Sequence, residues 1–295
     1  MVLRIATIGR SGQTARAIAA VLSGDTSIAL VQAGSAEADL RNAQKLSRFI
    51  DAARPDVVIN TGAYNFVDRA ESEPDEAMRI NADGPLALAQ ITATLGLPFI
   101  HMSTDCVFDG RNELAYTEDD TPNPLSAYGR SKLAGEQAVA AAYPAAVTTR
   151  VCWVYSEYGE NFVSKMISLA RTRPELQVVS DQFGPPTYAP DIARALVKLA
   201  REMHGGASNL PALLHVAAPG AMDRASMARD ILEESRRQGG PFASVQTVLS
   251  SHFSAPAARP LNARLDGSRA NARLGLAWTP WSKGLARSVA GILAR

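Results

Sequence analysis

Three side chains in the first half of the chain have the types and spacing to handle a carbonyl group. Ser103-Thr104-Asp105 sets a hydroxyl beside a carboxylate, and Tyr128 is followed four residues later by Lys132. With Tyr128 opening a helix, Lys132 lies one turn on along the same face. An ammonium beside a phenol favours the phenolate and lowers the tyrosine pKa, which makes the phenol a usable proton donor and acceptor near neutrality. Hydroxyl, phenol and ammonium together can polarise, protonate and support the reduction of a carbonyl. A Tyr four places before a Lys also arises by accident in a chain with seven Tyr, so the elements that carry the pair decide its meaning.

Those elements alternate. Residues 3–8, 28–32, 57–60, 99–103 and 147–151 are short, mostly apolar and often β-branched, as strands buried on both faces are. Between them, 14–22, 43–53, 85–95 and 127–142 are alanine-rich with helical spacing, and Gly96 and Pro98 mark a stop and restart into the fourth strand. The alternation predicts an α/β fold, a Rossmann-like doubly wound parallel sheet that binds ligands beyond the carboxyl ends of its strands. Gly9, Gly62 and Ser103-Thr104-Asp105 all fall at strand ends and would converge on one crevice. The second half is less regular: a proline-rich stretch at 183–187, helices over 191–201, 225–236 and 282–293, a strand-like 213–216 and a loop around 255–260. We expect a dinucleotide-binding domain over 1–155, a segment around 188–217 returning to it, and a smaller C-terminal α/β domain over 156–295 that is mainly substrate-binding.

The bulk properties narrow the partners. A net charge of +1 creates no basic field, so nucleic acid is not an expected partner. Cys106 and Cys152 are too few for a disulfide framework and lack metal-ligand spacing, which fits a reducing cytoplasm. The N-terminus reaches glycine at position 9, too early for a signal peptide, and no apolar run is long enough to span a bilayer. The expectation is a soluble cytoplasmic protein without a membrane partner. His101, His204, His215 and His252 are scattered and form no metal or triad pattern; His101 reads as a packed strand residue.

At the nucleotide end, Gly9-Arg10-Ser11-Gly12-Gln13 follows the first strand and opens the first helix. Gly9 and Gly12 permit a tight turn and a close approach of backbone to a pyrophosphate, and Ala15 stands at the third small position of the fingerprint. After the second strand the chain reads Gln32-Ala33-Gly34-Ser35, with no carboxylate at the strand tip to take a ribose 2′-hydroxyl. Arg10 can meet a 2′-phosphate there or remain a solvated loop side chain. The expectation is NADPH or NADH as cofactor, with NADPH accepted at least as well.

Taken together, these pieces resemble the extended short-chain dehydrogenase/reductase group and, within it, the dTDP-4-dehydrorhamnose reductase family. The resemblance is carried by Asn60-Thr61-Gly62-Ala63-Tyr64 leading into Val67-Asp68-Arg69-Ala70-Glu71, and by Ser103-Thr104-Asp105-Cys106-Val107-Phe108. It continues through Pro124-Leu125-Ser126-Ala127-Tyr128-Gly129-Arg130-Ser131-Lys132, Arg150-Val151-Cys152-Trp153, Asp181-Gln182-Phe183-Gly184-Pro185-Pro186-Thr187 and Arg259-Pro260-Leu261-Asn262. It implies NAD(P)H-dependent reduction of the 4-keto group of dTDP-4-dehydro-L-rhamnose, with a dTDP-deoxysugar as partner.

The resemblance also implies roles. Tyr128 would protonate the C4 oxygen, Lys132 would hold the nicotinamide ribose and bias Tyr128, and Thr104 would bond the carbonyl oxygen. Asp105 would orient a sugar hydroxyl, and Trp153 would lie against the sugar face; from the residues alone, Trp153 reads as a core residue and Thr104 as a strand-end hydroxyl. Asp39 and Leu40 would flank the adenosine, Ala63 and Tyr64 would line the cofactor groove, and Val67 would touch the sugar nucleotide. Arg259 and Asn262 would meet the substrate diphosphate or stay solvated in their loop.

Departures and rivals belong beside this. Cys106 stands where the family usually has tyrosine, and Tyr64 where a smaller or more polar residue is common. Glutamates that bridge subunits through Mg2+ in some members match Pro190 and the neighbourhood of Arg16, neither of which can ligate a hard cation. A homodimer would therefore lack bridging Mg2+, and no metal is expected. The same catalytic residues would serve a sugar-nucleotide 4-epimerase or a 4-ketoreductase of different stereochemistry. A non-catalytic subunit like the regulatory one of methionine adenosyltransferase would not need to retain Thr104, Tyr128 and Lys132 together.

Overall fold

The computed structural model describes residues 2–207 and 209–295. Six strands, β1 (Leu3–Ile8), β2 (Ile28–Ala33), β3 (Val57–Asn60), β4 (Phe99–Thr104), β5 (Val147–Val151) and, far along the chain, Leu213–His215, form one sheet. Every neighbouring pair in it is parallel, and the Leu213–His215 strand closes the edge beside β5, while β2 forms the other edge. The order reverses between β1 and β3, which is the switch point where such sheets open a crevice. In register, Ile8 lies opposite Asn60 and Ala33, Asn60 opposite His101, and Thr104 opposite Val151, so the chain leaves all five N-terminal strands at one end of the sheet.

Helices α1 (Gln13–Val21), α2 (Ala43–Ala53), α3 (Gly84–Leu95) and α4 (Ala127–Ala142) connect these strands. One face of the sheet buries Ile5, Ile59 and Ile100 against Ile18 of α1 and Ile192, Leu196 and Leu199 of a helix over Ala189–His204. The other face buries Val58 and Phe99 against Leu46, Ile50 and Leu88. A second core lies apart from the sheet, where α5 (Phe162–Ala170), the helices Arg224–Arg237 and Trp281–Leu293, and a parallel pair of strands, Glu175–Val179 with Ser244–Val248, enclose Met166, Ile167, Leu176, Ile231 and Val289. In chain order the later helices are α6 (Ala189–His204), α7 (Arg224–Arg237), α8 (Ser268–Leu274) and α9 (Trp281–Leu293).

Three features were not legible as patterns. Glu175–Val179 and Ser244–Val248 have exposed alternate positions and find each other across a long separation. The short helix Pro74–Met78 runs into a π-helical turn, Arg79–Asp83, that turns Asn81 inward. Its side chain there bonds Tyr64 N–H and carbonyl at 2.8 and 3.1 Å and Ser131 Oγ at 2.9 Å. Finally, α8 leaves the second core and packs Ala270 and Leu274 against the first. None of the described helices is long and apolar enough to cross a membrane.

Candidate active site

Helix α4 carries the Tyr128–Lys132 pair, and its start is built from local chemistry. Ser126 is the N-cap, accepting from Gly129 N at 3.1 Å, and Glu71 accepts the first-turn N–H of Ala127 at 2.7 Å. Gly129 then allows the helix to meet the turn that follows β4: a Cβ there would fall 2.2 Å from the Cys106 carbonyl oxygen. That approach sets Tyr128 beside Thr104, and one turn on it buries Lys132 behind the strand. Lys132 Nζ donates to the Met102 carbonyl at 2.7 Å.

Thr104 ends β4 and caps the turn Asp105–Val107. Its Oγ1 accepts from Cys106 N at 3.1 Å and donates to Asp105 Oδ1 at 2.9 Å. Asp105 is 7% exposed, and burial, only partly opposed by the Thr104 hydrogen bond and the nearby Arg224 charge, pushes its carboxyl up to about 6. Burial also pushes the Cys106 thiol up to about 12, helped by the Asp105 charge. Lys132 is pulled down to about 8 by burial, against the raising influence of Glu136 one turn further along α4. Glu136 itself forms a buried, two-pronged ion pair with Arg150 of β5, at 2.6 and 2.9 Å.

Tyr128 departs from the expectation. Its pKa is raised by burial first and by Cys106 and Asp105 next, while the Thr104 hydroxyl works the other way. The Lys132 ammonium is tied to Met102, so desolvation of the phenol outweighs the expected stabilisation of a phenolate.

These groups stand at the seam of two lobes. One, of about 440 Å³, runs from Ser11, Gly12 and Gln13 past Ala63 to Thr104, Tyr128 and Lys132. The other, of about 400 Å³, shares Thr104, Asp105, Tyr128 and Trp153 and continues to Val67, Arg224 and Arg259. A third hollow, lined by Gly9, Gly34, Asp39, Leu40 and Ala63, opens beside the first. The fit to a dinucleotide is visible in the turn itself. Gly9 has φ +108°, and a Cβ on it would come within 2.8 Å of Gly62 N and Thr61 Oγ1. Gly12 caps α1 without a side-chain hydrogen bond, which leaves the first N–H groups of that helix to an anion.

Several expected residues hold other partners. Gln13 Oε1 accepts the Ser156 hydroxyl at 2.9 Å, which ties the glycine turn to the second half of the chain. Asp39 is chelated by Arg41 at 2.8 and 2.9 Å at the rim of the third hollow. Arg10 pairs with Glu37 at 3.1 Å, and Glu37 also accepts Gly34 N–H at 3.0 Å. A carboxylate therefore does stand near the end of β2, brought back by a turn that the strand-tip residues alone do not reveal. Tyr64 is turned away from the first lobe: its hydroxyl donates to Glu73 at 2.7 Å and its ring is buried among Ala70, Ala77 and Tyr128. Ala63, its neighbour, does line that lobe.

In the second lobe, Val67, Asp105 and Arg259 line the space, with Arg259 paired to Asp68 at 3.0 Å. Asn262 does not. Its Nδ2 donates to the carbonyls of Asn112 and Leu114 at 2.6 and 2.7 Å, and its Oδ1 holds Arg264, so it clasps the 112–114 loop and has no donor left for a diphosphate. Trp153 adopts φ +42°, a costly backbone for a bulky residue. Gly184 lies against its indole, where a Cβ would come within 2.6 Å, and the Arg224 guanidinium carbon sits 3.4 Å from the ring centroid. Arg224 therefore covers one face of the indole, while Trp153 still lines both lobes. Arg224 escaped the sequence reading; its signal is an arginine in the first turn of a helix, where the macrodipole disfavours a cation. His101 is fully buried beside Asn60, at 3.2 Å, as a packed strand residue. Among the described residues, no group of three or more His, Cys, Asp or Glu is placed to hold a metal ion.

Comparison with known proteins places this geometry. Residues 3–293 match the family described as "RmlD substrate binding domain". A Sinorhizobium fredii protein named dTDP-4-dehydrorhamnose reductase is 40% identical over 99% of this chain and 98% of its own length. One of the same name from Escherichia coli is 35% identical over 84% of each chain. Among solved structures, the dTDP-4-dehydrorhamnose reductase of Clostridium acetobutylicum superposes with a TM-score of 0.90 at 31% identity, over 99% of this chain and 100% of that one. The Bacillus anthracis enzyme in complex with NADP superposes at 0.88 and 31% identity, over 97% and 98%.

Proposed function

We propose how a chain that belongs to the dTDP-4-dehydrorhamnose reductase family divides the work of its reaction: Tyr128 gives the proton, Thr104 steadies the carbonyl oxygen, and Lys132 holds the nicotinamide ribose. The activity is reduction, with NADPH or NADH, of the 4-keto group of dTDP-4-dehydro-L-rhamnose to give dTDP-L-rhamnose. The observation that carries the assignment of roles is the meeting of Thr104 and Tyr128 at the seam of the two lobes, with Lys132 beside them in the first.

The nicotinamide cofactor supplies the reducing equivalent when bound. Gly9, Ser11 and Gly12 with the N-terminus of α1 suit its diphosphate, and the hollow beside Asp39 and Leu40 suits its adenosine. Arg10 is already compensated by Glu37, so a 2′-phosphate would have to share that guanidinium with a carboxylate. Acceptance of NADPH at least as readily as NADH therefore rests on Arg10 exchanging partners.

Burial keeps Tyr128 as the neutral phenol, the form that can give a proton to the C4 oxygen as negative charge develops there. Thr104 has one hydroxyl proton, now given to Asp105. Turning it towards the substrate oxygen adds an oxyanion-type contact and releases Asp105 to accept from a sugar hydroxyl. Lys132, fixed by Met102 and pulled down to about 8 by burial, is still mainly a cation at neutral pH and lines the cofactor lobe. The unpaired thiols Cys106 and Cys152 suit a reducing cytoplasm.

The test is a turnover assay with enzymatically prepared dTDP-4-dehydro-L-rhamnose, following NADPH absorbance and product identity. Tyr128→Phe removes only the proton donor, so kcat should fall by about 10²- to 10⁴-fold while dTDP binding survives. Unaltered turnover in that variant would remove Tyr128 from the mechanism.

A further inference from the structure

Arg224 opens α7 with its guanidinium stacked 3.4 Å from the Trp153 ring centroid and 4.9 Å from that of Phe162. Its guanidinium has one polar contact among the described residues, Met227 Sδ at 3.9 Å, and none of the ion pairs there includes it. Burial lowers its pKa to about 10, opposed by the neighbouring thiols and Asp105 and reinforced by Arg259, so it sits close to a second cation. It lines the same 400 Å³ lobe as Asp105, Tyr128 and Arg259.

The two residues expected to meet the diphosphate are already occupied. Arg259 is matched by Asp68 at 3.0 Å and by the Ala257 carbonyl at 2.9 Å, and Asn262 is consumed by the 112–114 loop. Arg224 is the guanidinium there whose N–H edges lack an oxygen acceptor. Holding it at a helix N-terminus and partly out of water is unfavourable on both counts. No carboxylate among the described residues offsets that cost by direct pairing, whereas a ligand with a full negative charge would. A sugar ring presents neutral hydroxyls; the anionic part of a nucleotide sugar is its diphosphate. Stacking on the indole fixes the guanidinium plane and leaves its edge for a two-pronged contact with phosphate oxygens.

We infer that Arg224, held flat on Trp153, is the anchor for the diphosphate of the sugar nucleotide, with Arg259 as a secondary, already compensated cation. This rests on the nucleotide-sugar substrate of the reductase reading. Trp153 is the platform that aims Arg224.

The experiment titrates dTDP and NADPH separately into the wild-type protein, Arg224→Gln and Arg224→Lys, by calorimetry. Arg224→Gln should weaken dTDP by roughly 10- to 100-fold, the range for a lost hydrogen bond to a charged group, with NADPH affinity retained as the sign of an intact fold. Arg224→Lys keeps the charge but loses the planar fork, and should fall between the two. It carries the test alone should the glutamine variant fail to fold. A dTDP affinity within about twofold of wild type in the variant measured would overturn the inference, since the loss of a hydrogen-bonded contact to a charged group costs more than that. So would an unchanged dTDP affinity with a raised KM for the 4-keto sugar, which would make Arg224 a reader of the sugar. A wild-type protein that binds neither dTDP nor the dTDP-sugar would instead overturn the substrate reading, and the inference with it.

Discussion

Asp105→Asn should make the protein more stable at neutral pH while damaging its activity. The carboxyl is 7% exposed and its pKa is raised from 3.8 to about 6, so the folded protein holds an ionised carboxylate at neutral pH at a cost. A folded pKa above the unfolded one means that the native state binds the proton more tightly. The favourable contribution is complete below about pH 4 and is lost as pH rises through about 6. At about 1.36 kcal/mol per unit, the shift of about 2 units is worth about 3 kcal/mol well above pH 6 and only about 1 kcal/mol near pH 4.5. Asparagine keeps an oxygen to accept the Thr104 hydroxyl and removes the charge. Urea unfolding of both proteins at about pH 8 and about pH 4.5 isolates the effect, because contributions independent of ionisation cancel between the two pH values. The variant's advantage should shrink by about 2 kcal/mol on acidification. An advantage that is the same at both pH values, or that grows on acidification, would refute the reasoning. Turnover of the 4-keto sugar should fall in the same variant, a trade of stability for function of the kind active sites show.

Glu136→Gln leaves the Arg150 guanidinium buried without its partner and should cost about 3–5 kcal/mol of stability, read in the same urea titration. Exchanging both Glu136 and Arg150 for apolar residues of similar size should cost less than that single change, and a pair cycle that adds up simply would mean that the two charges do not interact. Activity that needs the Lys132 ammonium should decline as pH rises through about 8, and in Glu136→Gln that alkaline limb should move to lower pH because the carboxylate that raises Lys132 is gone. A kcat/KM profile whose limb stays in place in the variant would separate Glu136 from Lys132.

Much of the fold could be read along the chain because its central strands are buried on both faces. Residues such as Val57–Asn60 and Val147–Val151 are short apolar or β-branched runs whichever neighbour they pair with, and the alanine-rich helices between them have one face to cover. The strands Glu175–Val179 and Ser244–Val248 escaped that reading. Their partners lie about as far apart in sequence as a small domain is long, and their exposed alternate positions give little apolar signal. The π-helical turn at Arg79–Asp83 was equally hidden, since it exists to turn Asn81 between Tyr64 and Ser131, a tertiary demand.

By itself the sequence determined the glycine turn after β1, the hydroxyl–carboxylate pair that ends β4 and the i, i+4 spacing of Tyr128 and Lys132. All are local: backbone sterics and helical periodicity act within a few residues. Only the tertiary structure decided what each polar group has left to offer. Asn262 and Arg259 stand three residues apart in one loop, yet the first is consumed by carbonyls more than a hundred residues away in the chain and the second lines the second lobe. Tyr128 lies one turn from an ammonium, yet its proton is held by burial, because desolvation depends on everything packed around a group. Arg224 carries no local pattern that marks its place on Trp153, and only folding laid it there. Hydrogen-bond donors are spent in three dimensions, so the residues that remain free to bind a ligand are known only once the chain has closed around them.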